Sequence, residues 1–210
     1  MPAGGASAGG DFWLRAERDD GAPFLLVGDV QGHGEAAAGC AEVMRRVLRD
    51  AARSAERPDV WLEAANAELV GRGRPPSLYT TAVAVLFDST RRRLTWSYAG
   101  HLPPHLLDGG RPLDGTVPGV PLGVREHVGC TSDSIELRAG DGVLLYTDGL
   151  EDARGPGGDR FGVARITHTL ATAPRRLPPA DIVERLRVAV CRFAEDRLSD
   201  DICILAARAV

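Results

Sequence analysis

Apolar residues recur at every third or fourth position through 35–55, at Ala38, Ala41, Val43, Met44, Val47, Leu48 and Ala51, which is the spacing of one helix face. A second helix is predicted over 59–70, opening just after Pro58 and stopped by Gly71-Arg72-Gly73-Arg74-Pro75-Pro76. From Leu78 the pattern changes to runs rich in β-branched and aromatic residues. Tyr79-Thr80-Thr81-Ala82-Val83-Ala84-Val85-Leu86-Phe87, a turn at Asp88-Ser89-Thr90-Arg91 and Leu94-Thr95-Trp96-Ser97-Tyr98 predict a hairpin. Shorter strands are predicted at 105–107 and 134–137, parted by a loop through Gly115, Pro118, Gly119, Pro121 and Gly123. Gly140-Asp141-Gly142 then turns the chain into a strand over 143–147. Past the Gly-rich stretch 154–159, helices are predicted over 163–171 and 179–198, and a last strand over 202–207. This order predicts an α+β fold with largely antiparallel sheets in the middle and helices on both sides.

Four aspartates stand at the ends of these apolar runs. Asp29 follows Phe24-Leu25-Leu26-Val27-Gly28 and Asp148 follows Val143-Leu144-Leu145-Tyr146-Thr147, where strands exit; Asp11 precedes Phe12-Trp13-Leu14 and Asp200 precedes the final strand. In an antiparallel sheet the exit of one strand lies beside the start of its neighbour, so the four carboxylates are expected to gather along one edge. Asp11 and Asp29 are equidistant from Asp20, in a predicted turn at Asp19-Asp20-Gly21-Ala22, and simple hairpin pairing brings them together. Carboxylates at 4 Å repel by about 4 kcal/mol per pair at an effective dielectric near 20, so such a cluster requires protons or cations. Two divalent ions would balance four aspartates. Singly, each aspartate is an ordinary turn or cap residue; the inference rests on the set. Asp201, the strand neighbour of Asp200, is expected to face away.

Composition narrows the field. At 210 residues, 44% apolar and 26% charged, the chain fits one globular domain, 1–210. No apolar run approaches the roughly 20 residues of a membrane span, and the Gly/Ala-rich start does not resemble a secretion signal, so no membrane partner and a cytoplasmic location are expected. Cys40, Cys130, Cys191 and Cys203 are scattered without a Cys-x-x-Cys pair, which argues against a zinc site and a disulfide scaffold. The net charge of −4 leaves no footprint for nucleic acid. An Asp-rich loop with ligands at alternate positions is missing, which disfavours a calcium-binding protein.

Six strings in order resemble the bacterial PPM, or type 2C-like, protein phosphatases, and within them the SpoIIE-type branch. They are Gly9-Gly10-Asp11-Phe12-Trp13, Gly28-Asp29-Val30-Gln31-Gly32-His33-Gly34, Ala99-Gly100-His101-Leu102-Pro103-Pro104, Pro121-Leu122-Gly123-Val124, Leu145-Tyr146-Thr147-Asp148-Gly149 and Ser199-Asp200-Asp201-Ile202. The resemblance implies an αββα sandwich with a two-metal site at one edge of the sheets. It implies Asp29 as the ligand bridging two Mn2+ or Mg2+ ions, the Val30 backbone carbonyl as a further ligand, Asp148 and Asp200 on the first ion, and Asp11 serving the second. All-oxygen ligation suits these cations. The expected reaction is direct attack of a metal-activated water on phosphoserine or phosphothreonine, with Asp29 and Asp148 at its centre and no phosphoenzyme. His33 and His101 are candidates for a general acid; each also has a structural reading, His33 capping the next helix and His101 filling a loop. The expected substrate is a phosphorylated protein such as an anti-anti-sigma factor, docked by the loop 109–123 and the stretch after Arg154.

Two departures from the branch bear on activity. Leu14 stands where many relatives carry a second acidic residue, which is expected to weaken the second metal. The chain opens almost at the first motif, so the upstream strand of relatives, with the phosphate-binding arginine of the wider family, and any regulatory segment are expected to be absent. The alternative to an enzyme is a weakly active or inactive regulatory binding module on the same fold.

Overall fold

The computed structural model describes residues 9–71 and 79–209. A hairpin of β1 (Asp11–Glu17) and β2 (Pro23–Val30) leads into α1 (Glu35–Ser54) and α2 (Pro58–Gly71). Strands β3 (Thr80–Phe87), β4 (Arg93–Ala99), β5 (His105–Leu106), β6 (Asp133–Glu136) and β7 (Gly142–Tyr146) follow, then α3 (Asp148–Asp152), α4 (Gly162–Ala171), α5 (Pro179–Phe193) and β8 (Ile204–Arg208). The strands form a five-stranded sheet, β1-β2-β3-β4-β6, and a three-stranded sheet, β5-β7-β8. Every pairing between these strands is antiparallel.

Alternation along the strands builds the layers. On β2 and β3, Phe24, Leu26, Ala82, Ala84 and Leu86 turn outward and meet Cys40, Met44, Leu48, Trp61, Leu62 and Leu69 of α1 and α2. Their neighbours Leu25, Val27, Val83, Val85 and Phe87 turn the other way and pack, with Leu94 and Trp96, against Val143 and Leu145 of the smaller sheet. The far face of that sheet presents Leu144 and Tyr146 to Ile166, Leu170, Ile182, Leu186 and Val190 of α4 and α5. Helix, sheet, sheet, helix is therefore the αββα sandwich expected. Each fully buried Leu or Phe in these layers contributes about 2 kcal/mol of transfer free energy.

Three predicted boundaries shift. The last strand begins at Ile204, because Cys203 N–H bonds the Thr147 hydroxyl and the ladder starts only at the Tyr146–Ile204 pair. The helix predicted over 179–198 ends at Phe193, where Glu195 and Asp196 take left-handed backbone angles of 48° and 58° in φ and break the repeat. Asp148 does not merely end a strand; it opens α3. Beyond Gly71, the predicted stop through Pro76 and the strand start at Leu78 lie outside the described residues.

Candidate metal centre

The hairpin sets the first pair of carboxylates. Gly21, at φ 80°, lets the chain reverse, with Gly21 N–H donating to Arg18 O (3.0 Å) and Arg18 N–H to Ala22 O (2.9 Å). From that turn the register carries Asp11 directly opposite Asp29. Asp29 shares the parity of Leu25 and Val27, so both carboxylates project into the layer between the two sheets, at its open end.

Asp148 reaches the same place from the smaller sheet, at the start of α3 just beyond β7, and Asp200 comes from the loop before β8. All four aspartates line one cavity of about 410 Å³, together with Gly9, Gly10, Gln31, Gly32, His33, Ser199 and Asp201. Among the described residues no arginine lines it. Two close approaches explain the glycines in these motifs. A methyl on Gly10 would fall 2.1 Å from the Val30 carbonyl oxygen and 2.7 Å from Asp29 Oδ1; one on Gly149 would fall 2.0 Å from the Asp201 carbonyl oxygen.

The cavity is hostile to bare negative charge. Burial pushes the Asp11 carboxyl up to about 7, with repulsion from Asp29, Asp201 and Asp200 adding to it against the Thr147 hydrogen bond. Asp29 is likewise pushed up to about 7 by burial, then by Asp148, Asp200 and Asp201. Asp148 moves upward for the same reasons, burial first and Asp200 next. Among the described residues no three His, Cys, Asp or Glu side chains are drawn close enough to ligate one ion as they stand. A wall whose charged oxygens come from five aspartates, with no arginine among the described residues to offset them, nevertheless fits divalent cations of the Mn2+ or Mg2+ kind, which would relieve this repulsion.

The two histidines separate. His33 is exposed on the cavity wall, and it does not cap α1: the N-cap is Gly34, with no side-chain cap bond. His101 is a link between the sheets. Its Nε2–H donates to the Tyr146 carbonyl (3.1 Å), since that oxygen can only accept, and its Nδ1 accepts from the Thr81 hydroxyl (2.8 Å). Burial lowers its pKa to about 4, so it stays neutral. Thr81 is the register partner of Asp29, which puts this clamp directly behind the carboxylates.

Asp201 and Thr147 are the residues that sequence reasoning missed. Asp201 lines the cavity beside Asp200 because 199–203 is loop, where strand alternation does not apply. Thr147 donates its hydroxyl to Asp11 Oδ2 at 2.8 Å, a contact across 136 positions that no local pattern announces. Beside the cavity, and sharing Asp11 and Asp201 with it, a groove of about 430 Å³ runs between β1 and β8, walled by Trp13, Ile202, Cys203, Ile204 and Leu205.

The chain is similar to several known proteins. A family model, Stage II sporulation protein E (SpoIIE), matches residues 19–210. Protein IcfG of Synechocystis sp. is 31% identical over 97 residues, which are 45% of this chain but only 15% of that protein's length. Among solved structures, the SiaA PP2C domain of Pseudomonas aeruginosa aligns over 95% of this chain and 80% of its own at 25% identity, with a TM-score of 0.80. The RsbU and RsbW domains of Rv1364c from Mycobacterium tuberculosis align over 100% of this chain and 58% of theirs at 26% identity, with a TM-score of 0.75. The chain therefore belongs to the stage II sporulation protein E family, the SpoIIE-type branch of the PPM phosphatases.

Proposed function

We propose that this protein is a cytoplasmic, metal-dependent serine/threonine phosphatase acting on a phosphoprotein of a partner-switching system, such as an anti-anti-sigma factor. The observation that carries the reading is the convergence of Asp11, Asp29, Asp148 and Asp200 on one acidic cavity. Two further proteins of the same fold support the cation: the catalytic domain of PstP was solved with two manganese ions, at 20% identity and a TM-score of 0.69, and RsbX with magnesium, at 18% and 0.71. RsbU and RsbW domains in one structural relative, and another whose structure is described under the bacterial stressosome, support a protein substrate. Among the described residues no helix is long and apolar enough to cross a membrane.

Asp29 would bridge two Mn2+ or Mg2+ ions, with the Val30 carbonyl beside it, Asp148 and Asp200 completing the first ion and Asp11 serving the second. When bound, such ions supply a nucleophilic water and stabilise charge in an in-line displacement at phosphorus. The protein's own part is to hold these carboxylates at the end of the intersheet layer and to offer a proton to the leaving serine oxygen. His33, exposed on the cavity wall, is the group we assign to that proton transfer; His101, half-buried and neutral with both nitrogens engaged, is not. The loop 109–123 and the stretch after Arg154 are proposed as docking surfaces, and the Trp13 groove, which shares Asp11 and Asp201 with the cavity, as a further one. The inactive-module alternative is not favoured, because the repulsion among the carboxylates is destabilising in the absence of bound cations.

The test compares phosphate release, with and without Mn2+, from a generic phenyl phosphate ester, a serine-phosphorylated anti-anti-sigma protein and its short phosphopeptide. Mn2+-dependent turnover of all three, with the intact protein highest in kcat/KM, is expected. No Mn2+-dependent release from any of them would overturn the enzyme reading; equal kcat/KM for protein and peptide would overturn surface docking.

A further inference from the structure

Thr147 is fully buried, and three segments of the site meet at its side chain. Its hydroxyl oxygen accepts from Cys203 N–H at 2.9 Å, which leaves its proton to be given to Asp11 Oδ2 at 2.8 Å. Its backbone N–H donates to the Cys203 carbonyl at 3.1 Å. The directions are fixed by chemistry, since an amide N–H cannot accept and an ionised carboxylate cannot donate. One residue thereby ties β1, the outer strand of the larger sheet, to the β7–α3 junction that carries Asp148 and to the loop that carries Asp200 and Asp201. Replacing the hydroxyl by a methyl would keep the shape and orphan both partners.

We propose that Thr147 is a positioning residue, setting which way the Asp11 carboxylate faces and locking it to the Asp148 and Asp200 segments across the gap between the sheets. The proposal rests on the metal-dependent reading of the cavity. Leu14, three residues along β1, pairs with Leu26 and packs into the layer against α1 and α2, so Asp11 is the carboxylate that β1 brings to the cavity. Partners that orient a ligand are worth about 10–100-fold in metal affinity.

The test is calorimetric titration of Mn2+ into the metal-stripped full chain, which reads binding directly. The parent is expected to take up Mn2+ in a stronger and a weaker step. Thr147→Val should weaken the weaker step by about tenfold or more while leaving the stronger one intact, and Thr147→Ser, which keeps the hydroxyl, should bind as the parent does. In an Asp11→Asn background, Thr147→Val should add little further loss, because its effect runs through that carboxylate. Parent-like binding by the Val variant overturns the proposal, as does an equal loss in the Ser and Val variants, or a fully additive loss in the double variant. Should the Val variant fail to fold, the Ser and Ala variants decide: a weak Ala beside a parent-like Ser supports positioning, and equal affinities overturn it. A parent that takes up no Mn2+ defeats the metal reading itself, before any variant is compared.

Discussion

At Asp29 the fold keeps a carboxylate where water is scarce and acids are near on several sides. Burial is the largest influence on it and repulsion from Asp148, Asp200 and Asp201 comes next, so the position is unfavourable for folding unless a cation occupies the cavity. Asp29→Asn removes that charge with little change of shape. It should abolish Mn2+-dependent turnover, and the metal-free variant should melt above the metal-free parent at neutral pH, a combination that a merely structural aspartate would not give. Residual activity near the parent's at saturating Mn2+ would refute the bridging assignment. The pairing of Asp29 with Asp11 was legible in the chain, because a two-sided turn signal at Asp20 fixes the register for both flanking strands. Asp201 was not, since Ile202-Cys203 looks like strand and only the tertiary contact of Cys203 with Thr147 shows that the ladder stops short of it. Thr147 itself was legible only as the end of the strand predicted over 143–147, because a bond between different sheets leaves no periodic trace.

Helix α2 shows how an element can serve two masters. Trp61, Leu62, Ala65 and Leu69 go to the core, while Asp59, Glu63 and Asn66, at i, i+4 and i+7, form one polar face. That face holds the long connection between β5 and β6. Asp59 Oδ1 accepts from Ser132 Oγ at 2.6 Å, and Glu63 Oε2 accepts from Val128 N–H at 2.9 Å. Buried Asn66 accepts from Gly123 N–H at 2.8 Å and donates to the carbonyls of Arg125 and Glu126 at 3.0 and 2.9 Å. The loop 109–123 predicted from its Gly and Pro content is therefore fastened at its far end, and it runs along the strand ends near the site through the Thr80–Leu122 bridge. Asn66→Ala would leave one part-buried donor and two carbonyls without their partner. It should destabilise the protein by about 2 kcal/mol and lower Tm by roughly 4–8 °C in a chain of this size. Asn66→Asp, which can accept but not donate twice, should fare no better, and a melting point unchanged in both variants would show that the loop is held by other means. The helix was legible from its spacing; its polar face was not, because the partners lie 57 to 73 positions away.

On the scale of the whole molecule, the site works against the fold that builds it, and the pH dependence of stability should report this. Asp11 and Asp29 titrate near 7 in the folded protein and near their ordinary value of 3.8 when unfolded. Between those values the folded state binds more protons than the unfolded state, so stability must fall as pH rises through the window from about 4 to about 7. Below it both states are protonated and the penalty vanishes; above it the full penalty applies. Asp148, also moved upward, adds to the same slope. Divalent cations reverse the preference, because they bind the ionised carboxylates of the folded state and are lost on unfolding. The metal-stripped chain should therefore melt at progressively lower temperature from pH 4 to pH 7. Saturating Mn2+ should raise Tm little near pH 4, where protons compete for the same oxygens, and most at pH 7 and above. Thermal scans of the full chain with chelator and with millimolar Mn2+ across this range check both slopes. A metal-free Tm that rises steadily with pH would mean that the carboxylates are not crowded as the fold places them, and a Mn2+ shift equal at every pH would mean that the ion binds somewhere other than these aspartates.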